Sequence, residues 1–331
     1  MTTFDEFSGT CNRSLLLIHG RDFKPSEEAF MDISAAALRS GVERDYPETL
    51  SAFDAMNKSM CWYGDLNAEI LSAAGKQYDE SLDIGDRCSA LTALREISVR
   101  KKFNTRAYDQ LPGKSALPEA IVDVFAPILG ALGMCVPMIN SVSKDFARYF
   151  DRKSDYAMKV RERLRVRLCE LMDRGDRVAL VSHGTGSVIA YDVLWQLSHD
   201  PDLKQKYGDH KVELWMTLGA PLGDSNIRKR LLGAKETKTE KFPVNVIAWH
   251  NVAAEDDYTC HDNTLADDFK MMMQQRVVSA VHDYLIFNLA VRYGKSNPHS
   301  SVGYYIHPRV SKILADWLQA TDVQTVPKYT F

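Results

Sequence analysis

The chain is 331 residues long, room for two ordinary domains or one large α/β domain. Apolar residues make up 45% and charged residues 26%, a balance that excludes a disordered or fibrous chain. A net charge of −3 leaves no basic surplus of the kind that nucleic acid or an anionic membrane would attract.

The opening, MTTFDEFSGTCNRS, has no basic segment followed by an apolar run, so no secretory signal is expected. Ser14–His19 (SLLLIH) is a short apolar run ending in His19-Gly20, the pattern of a buried strand entering a loop. A helix is expected over Ser26–Leu38, with Ser26 as N-cap and Glu27 and Glu28 in the first turn, where carboxylates suit the helix dipole. Met60–Tyr63, closed by Gly64-Asp65, is a second strand candidate.

The next hundred residues are too many for one crossover. Within them, Ala120–Ile139 is the most apolar stretch, but Asp123, Pro127, Gly130, Gly133 and Pro137 argue against a membrane span. We read about 81–150 as an inserted, partly helical cap over one end of the sheet; its segment VDVFAPILGALGMCVPMI fits a core helix equally well. Asp155–Met172 is amphipathic, with Val160, Leu164, Leu168 and Leu171 on one face.

Further strands are expected at Arg177–Ser182, Val212–Leu218 and Val244–Asn251, with the charged stretch 235–241 as a solvated loop. Helices are expected near Asp267–Gln275, over Val277–Arg292, and over Pro308–Leu318 with proline in its first turn. This alternation favours a mostly parallel sheet flanked by helices, in a single domain spanning 1–331. Cys11, Cys61, Cys88, Cys135, Cys169 and Cys260 form no CxxC pair, the usage of reduced cysteines, and a cytoplasmic location is the expectation.

The most informative stretch is Val178–Trp195, VALVSHGTGSVIAYDVLW, where a buried strand meets a helix through Ser182-His183-Gly184-Thr185-Gly186. That is the setting of a nucleophile elbow. The central residue is pushed out of a strained turn, and its neighbours two positions away, here Ser182 and Gly186, must be small so that strand and helix can approach.

With these features the chain resembles the α/β-hydrolase superfamily, especially intracellular esterase- and lipase-like members, over most of its length. The resemblance implies an α/β-hydrolase fold and an ester or acyl-bearing small molecule as ligand, with no metal and no organic cofactor. His19-Gly20 looks like the family's HG loop, so the oxyanion hole would draw on backbone N–H groups at Gly20, Arg21 and Thr185. Gly219-Ala220-Pro221 fits the loop after the next strand. Asp257 or Asp256 falls where the triad acid belongs, and His299 in Asn297-Pro298-His299-Ser300-Ser301 where the histidine belongs. Adjacent residues on an extended segment point opposite ways, so only one of the two acids would face His299. His183 is expected as a buried, hydrogen-bonded histidine under the elbow, and His307 as a packing or capping residue.

One position departs from the family. The nucleophile's place is held by Gly184, which suits the positive φ of an elbow but has no side chain to attack an acyl carbon. The glycine fits a natural loss of covalent catalysis, an introduced inactivating change, or chemistry by another group. Ser182 and Ser187 would have to reach around the elbow, Thr185 should point aside, and a water activated by His299 would be slow. The non-hydrolytic alternative is a binding protein that uses the same pocket for an acyl or apolar ligand.

Other chemistries fit poorly. The His199-Asp200, His261-Asp262 and His282-Asp283 pairs suggest metal phosphohydrolases, but those are all-helical. Gly113-Lys114-Ser115 lacks the earlier glycine of a phosphate loop, where Tyr108 stands. Gly184-Thr185-Gly186 is followed by Ile189 where a dinucleotide fingerprint needs glycine.

Overall fold

Leu15, Leu16, Leu17 and Ile18 on strand β1 (Arg13–Ile18) are all fully buried. A strand with no solvent face must belong to a sheet covered on both sides, as parallel sheets are. The computed structural model describes residues 12–97, 103–113, 144–260, 262 and 264–320. The first eleven residues, the apolar run Ala120–Ile139 with Cys135, and His261 lie outside them.

Among the described residues, β1 joins β2 (Asn57–Cys61), β3 (Arg177–His183), β4 (Val212–Leu218), β5 (Val246–Ala254) and β6 (Ala280–Ile286) in one sheet. The order is β2-β1-β3-β4-β5-β6, and every neighbouring pair is parallel. Helix α1 (Glu27–Asp45) is followed by α2 (Gly64–Ala73), α3 (Glu80–Arg95), α4 (Tyr156–Asp173), α5 (Gly186–His199), α6 (Ser301–Tyr305) and α7 (Pro308–Gln319).

Strand alternation divides the core. Leu15, Leu17, Val181 and Met216 pack against α1, α3, α6 and α7, while Leu16, Ile18, Leu180, Trp215 and Trp249 pack against α4 and α5. The chain starts at β1, moves to β2 on one side, and returns to β3 on the other. The crevice at the carboxyl ends of β1 and β3 is therefore a topological switch point, where open parallel sheets bind ligands.

The region read as a cap begins with α3, which lies against α1 and buries Leu91 and Leu94. A short helix, Lys144–Tyr149, resumes the described chain and buries Phe146 and Tyr149 on the opposite face. Residues 114–143, the middle of the expected cap, lie outside the described ones.

One element differs outright. Val277–Arg292, expected as a helix, contains the edge strand β6, with Val291–Arg292 in a small hairpin. Val278, Val281, Leu285 and Leu289 recur at helical spacing, but the run is rich in β-branched residues and pairs with β5 from Ala248↔Ala280 to Ala254↔Ile286. Val281 and Ile286 are buried on opposite faces and Leu285 is 56% exposed, the result of strand geometry rather than of a helical stripe. The helix near Asp267–Gln275 is two short ones, Leu265–Asp268 and Lys270–Gln274. No helix among the described residues is long and apolar enough to cross a membrane.

Candidate active site

β3 ends at His183 and α5 begins at Gly186, so two residues must reverse the chain. Gly184 does so at φ +54°, a region that glycine enters without the clash a Cβ would make. Its N–H donates to the Leu218 carbonyl (2.8 Å), and the Gly184 carbonyl accepts the Ser187 N–H (3.0 Å). A Cβ on Gly186 would overlap the His19 carbonyl oxygen and come 3.0 Å from that of Ile18, which is why position 186 must be small. A Cβ on Gly20 would come 3.0 Å from the His183 carbonyl and 3.5 Å from the Thr185 nitrogen, so the loops after β1 and β3 meet backbone to backbone.

An ideal Cβ on Gly184 would stand 3.0 Å from His299 Nε2 and 3.1 Å from its Cε1. The other ring nitrogen, Nδ1, lies 2.9 Å from Asp257 Oδ2 and 3.0 Å from Oδ1. Position 184, the imidazole and the carboxylate thus form a line at the switch point. Asp257 is 4% exposed. Burial favours its neutral form, but the charge and N–H of His299, the Tyr304 hydroxyl (2.7 Å) and the Thr259 N–H (3.0 Å) outweigh burial and hold the carboxyl below its usual range. An ionised acceptor fixes the proton of a neutral ring on Nδ1 and leaves Nε2 with its lone pair toward residue 184.

The neighbouring acid goes elsewhere. Asp256 adopts φ +59°, and its carboxylate accepts the Tyr108 hydroxyl at 2.9 Å. The two acids diverge because of this left-handed turn, not because they alternate on an extended strand. β5 runs three residues past Asn251, to Ala254, and so carries the pair to the carboxyl end of the sheet.

Further groups hold this geometry: His183 and Gly219, which the sequence singled out, and Asn288, which it did not. His183 donates from Nε2 to the His299 carbonyl at 3.0 Å, with its ring 4.6 Å from that of His299. Burial, and then the charge of His299, push its pKa well below the usual histidine value, so it stays neutral. Asn288 Nδ2 donates to the carbonyls of Pro298 (2.8 Å) and Ser300 (2.9 Å), clamping the loop on either side of His299. The only signal for Asn288 is its place as a lone amide in the apolar run Phe287–Ala290, since a buried amide must find partners. Gly219, at φ +57°, lies so close to the acid that a Cβ would come 2.6 Å from Asp257 Oδ2.

On the other side, His19 accepts the Tyr63 N–H at Nε2 (3.0 Å) and donates from Nδ1 to the Gly20 carbonyl (2.8 Å). Burial first, and then Lys24, keep it neutral. With the Gly20 carbonyl held, the trans peptide turns the Arg21 N–H the opposite way. Thr185 N–H, one of the orphan donors at the start of α5, has no bonded acceptor among the described residues. The Arg21 side chain pairs with Asp22 at 3.7 Å.

The hydroxyls of Ser182 and Ser187 are occupied. Ser182 Oγ donates to the Met216 carbonyl (3.2 Å) and accepts Trp215 Nε1–H (3.0 Å), and Ser187 Oγ donates to the Ser182 carbonyl (3.2 Å). His307 caps α7, accepting the Arg309 N–H at Nδ1 (3.0 Å). His199 bonds the Phe242 carbonyl (2.8 Å), and Asp283 accepts from Asn251, Leu265 and Ala266, which places these His-Asp pairs in local packing.

His183 and His299 face a cleft of about 290 Å³, whose wall carries Lys24, Arg87 and Arg292. This is near the lower end of the roughly 300–1,000 Å³ of small-molecule sites, a fit for a short ligand. Comparison with protein-family models, with curated proteins and with solved structures finds no match to this chain.

Proposed function

We propose that this chain is an esterase- or lipase-like hydrolase scaffold of the α/β-hydrolase type. In it the serine nucleophile of carboxylic-ester hydrolysis is replaced by Gly184, so that as it stands the chain has little or no acyl-serine catalysis. The observation that carries this reading is the placement of His299. Its Nε2 lies 3.0 Å from where a side chain at 184 would begin, and its Nδ1 is held by a buried carboxylate.

A serine hydroxyl at 184 would sit against that lone pair. His299 would take its proton as the oxygen attacked an acyl carbon, and return it to the leaving alcohol, while Asp257 stabilised the imidazolium. The Thr185 N–H and the loop at Gly20 and Arg21 supply the donors for the oxyanion. None of this needs a metal or cofactor.

The same vacancy supports a second reading, a non-catalytic protein that binds an ester or acyl-bearing small molecule. Treatment of the parent and of Gly184→Ser with a fluorophosphonate probe and a short-chain ester separates the two. Labelling and turnover by the variant alone are expected. If the folded variant does neither, the hydrolase reading falls and the binding reading stands; labelling of the parent would expose another nucleophile.

A further inference from the structure

The cleft beside His299 is lined by Arg21, Lys24, Arg87 and Arg292 against only Asp22 and Asp83. Its two acids do not balance those cations. Asp83 is saturated: it accepts Arg87 Nε (2.9 Å), Arg292 Nη2 (2.6 Å), the Tyr78 hydroxyl (2.9 Å) and the Tyr293 hydroxyl (3.1 Å). Arg292 is consumed by Asp83 and Asp86. Arg87 is different. It is 7% exposed, its Nε bonds Asp83 and its guanidinium lies over the Phe30 ring (5.0 Å to the centroid), and its terminal amino groups have no hydrogen-bond partner among the described residues.

Lys24 adds a second cation, in the field of Asp22, Asp145 and Asp83. Its ammonium donates to the carbonyls of Arg21, Asp22 and Phe23, and to no carboxylate among the described residues. Burial, and then repulsion from Arg87, lower its pKa to about 8. Two cations that repel each other across a cleft, one with idle in-plane donors, form a receptor for an oxyanion.

We propose that this cleft recognises a ligand with an anionic end, a carboxylate or phosphate group, which binds the free amino groups of Arg87 in the field of Lys24. The inference rests on the reading of residue 184 and His299 as an ester-processing position, and it narrows the ligand there from an apolar acyl compound to a short, negatively charged ester.

The test uses the full chain and titration calorimetry with three probes: monomethyl succinate, the neutral dimethyl succinate, and inorganic phosphate. Monomethyl succinate is expected to bind about tenfold or more tightly than the diester, with the advantage shrinking as salt rises. Arg87→Gln and Lys24→Met should each abolish the preference. Lys24→Met covers the case in which Arg87→Gln, which disturbs a buried ion pair, does not fold. Phosphate that displaces monomethyl succinate and binds more tightly identifies a phosphate group; displacement in the other direction identifies a carboxylate.

Equal binding of ester and diester, binding of no probe, or a preference untouched by a folded variant overturns the proposal. Fluorophosphonate labelling of Gly184→Ser without any anion preference removes this inference and leaves the hydrolase reading. Anion preference without labelling does the reverse.

Discussion

Tyr304 donates its hydroxyl to Asp257 Oδ2 at 2.7 Å and accepts the Ala254 N–H at 2.8 Å, tying the carboxylate that holds His299 to the last residue of β5. Tyr304 is fully buried, so Tyr304→Phe removes one bond to a charged acceptor and strands a buried backbone donor. The expected loss is about 2–4 kcal/mol of unfolding free energy. Urea denaturation of the two proteins measures it. A loss under about 0.5 kcal/mol would show that Asp257 is held without Tyr304.

Three of the glycines around the site, Gly184, Gly186 and Gly219, should rank differently on replacement by alanine. Gly186→Ala drives a Cβ into the rigid His19 carbonyl, and a loss of about 3 kcal/mol or more, or failure to fold, is expected. Gly219→Ala sets a Cβ 2.6 Å from Asp257 Oδ2 at positive φ, so it should displace the acid as well as strain the turn. Gly184→Ala meets only the rim of the His299 ring, whose side chain is 23% exposed and can withdraw, so the cost should be the αL penalty of about 1–2 kcal/mol. Thermal unfolding of the three variants gives the order, and Gly184→Ala as the most damaging would contradict it.

The two ends of this site differed in how far the sequence exposed them. Ser182–Gly186 is local: the small residues that permit the turn lie beside the residue it displays, and β1, β3 and β4 are apolar runs that only a doubly covered sheet accommodates. The choice between Asp256 and Asp257 was not local, because it depends on a left-handed residue and on Tyr108, nearly 150 positions away. The helix expected over Val277–Arg292 failed for a related reason. Its apolar spacing is helical, and pairing with the free edge of β5 overrode it. The Arg87–Lys24 wall is assembled from α3 and the loop after β1, a juxtaposition with no signature in either segment.

His307 links the stability of the C-terminal helix to pH. It is 7% exposed, caps α7 through Nδ1, and its Nε2 has no hydrogen-bond partner among the described residues. Burial, followed by Arg44 and Arg309, lowers its pKa to about 3. The unfolded chain takes up this proton near pH 6.5 and the folded chain does not. Stability is therefore complete above about pH 6.5 and falls as pH drops toward 3, by up to about 1.4 kcal/mol per pH unit from this group. Asn at this position keeps an N-cap acceptor without a titrating ring, so His307→Asn should flatten the slope of unfolding free energy between pH 6.5 and 4. An unchanged slope in a folded variant would remove His307 from the acid response.

In the Gly184→Ser background, the two acids can be told apart by rate. Asp257→Asn preserves shape, but an amide in place of the carboxylate permits the wrong tautomer of His299 and withdraws the charge that stabilises its imidazolium. Fluorophosphonate labelling should slow by about 10²–10⁴. Asp256→Asn keeps an acceptor for Tyr108 on a carboxamide that does not touch His299, and a change within about threefold is expected. Equal slowing by both substitutions would mean that the left-handed turn, rather than the charge at Asp257, governs the imidazole.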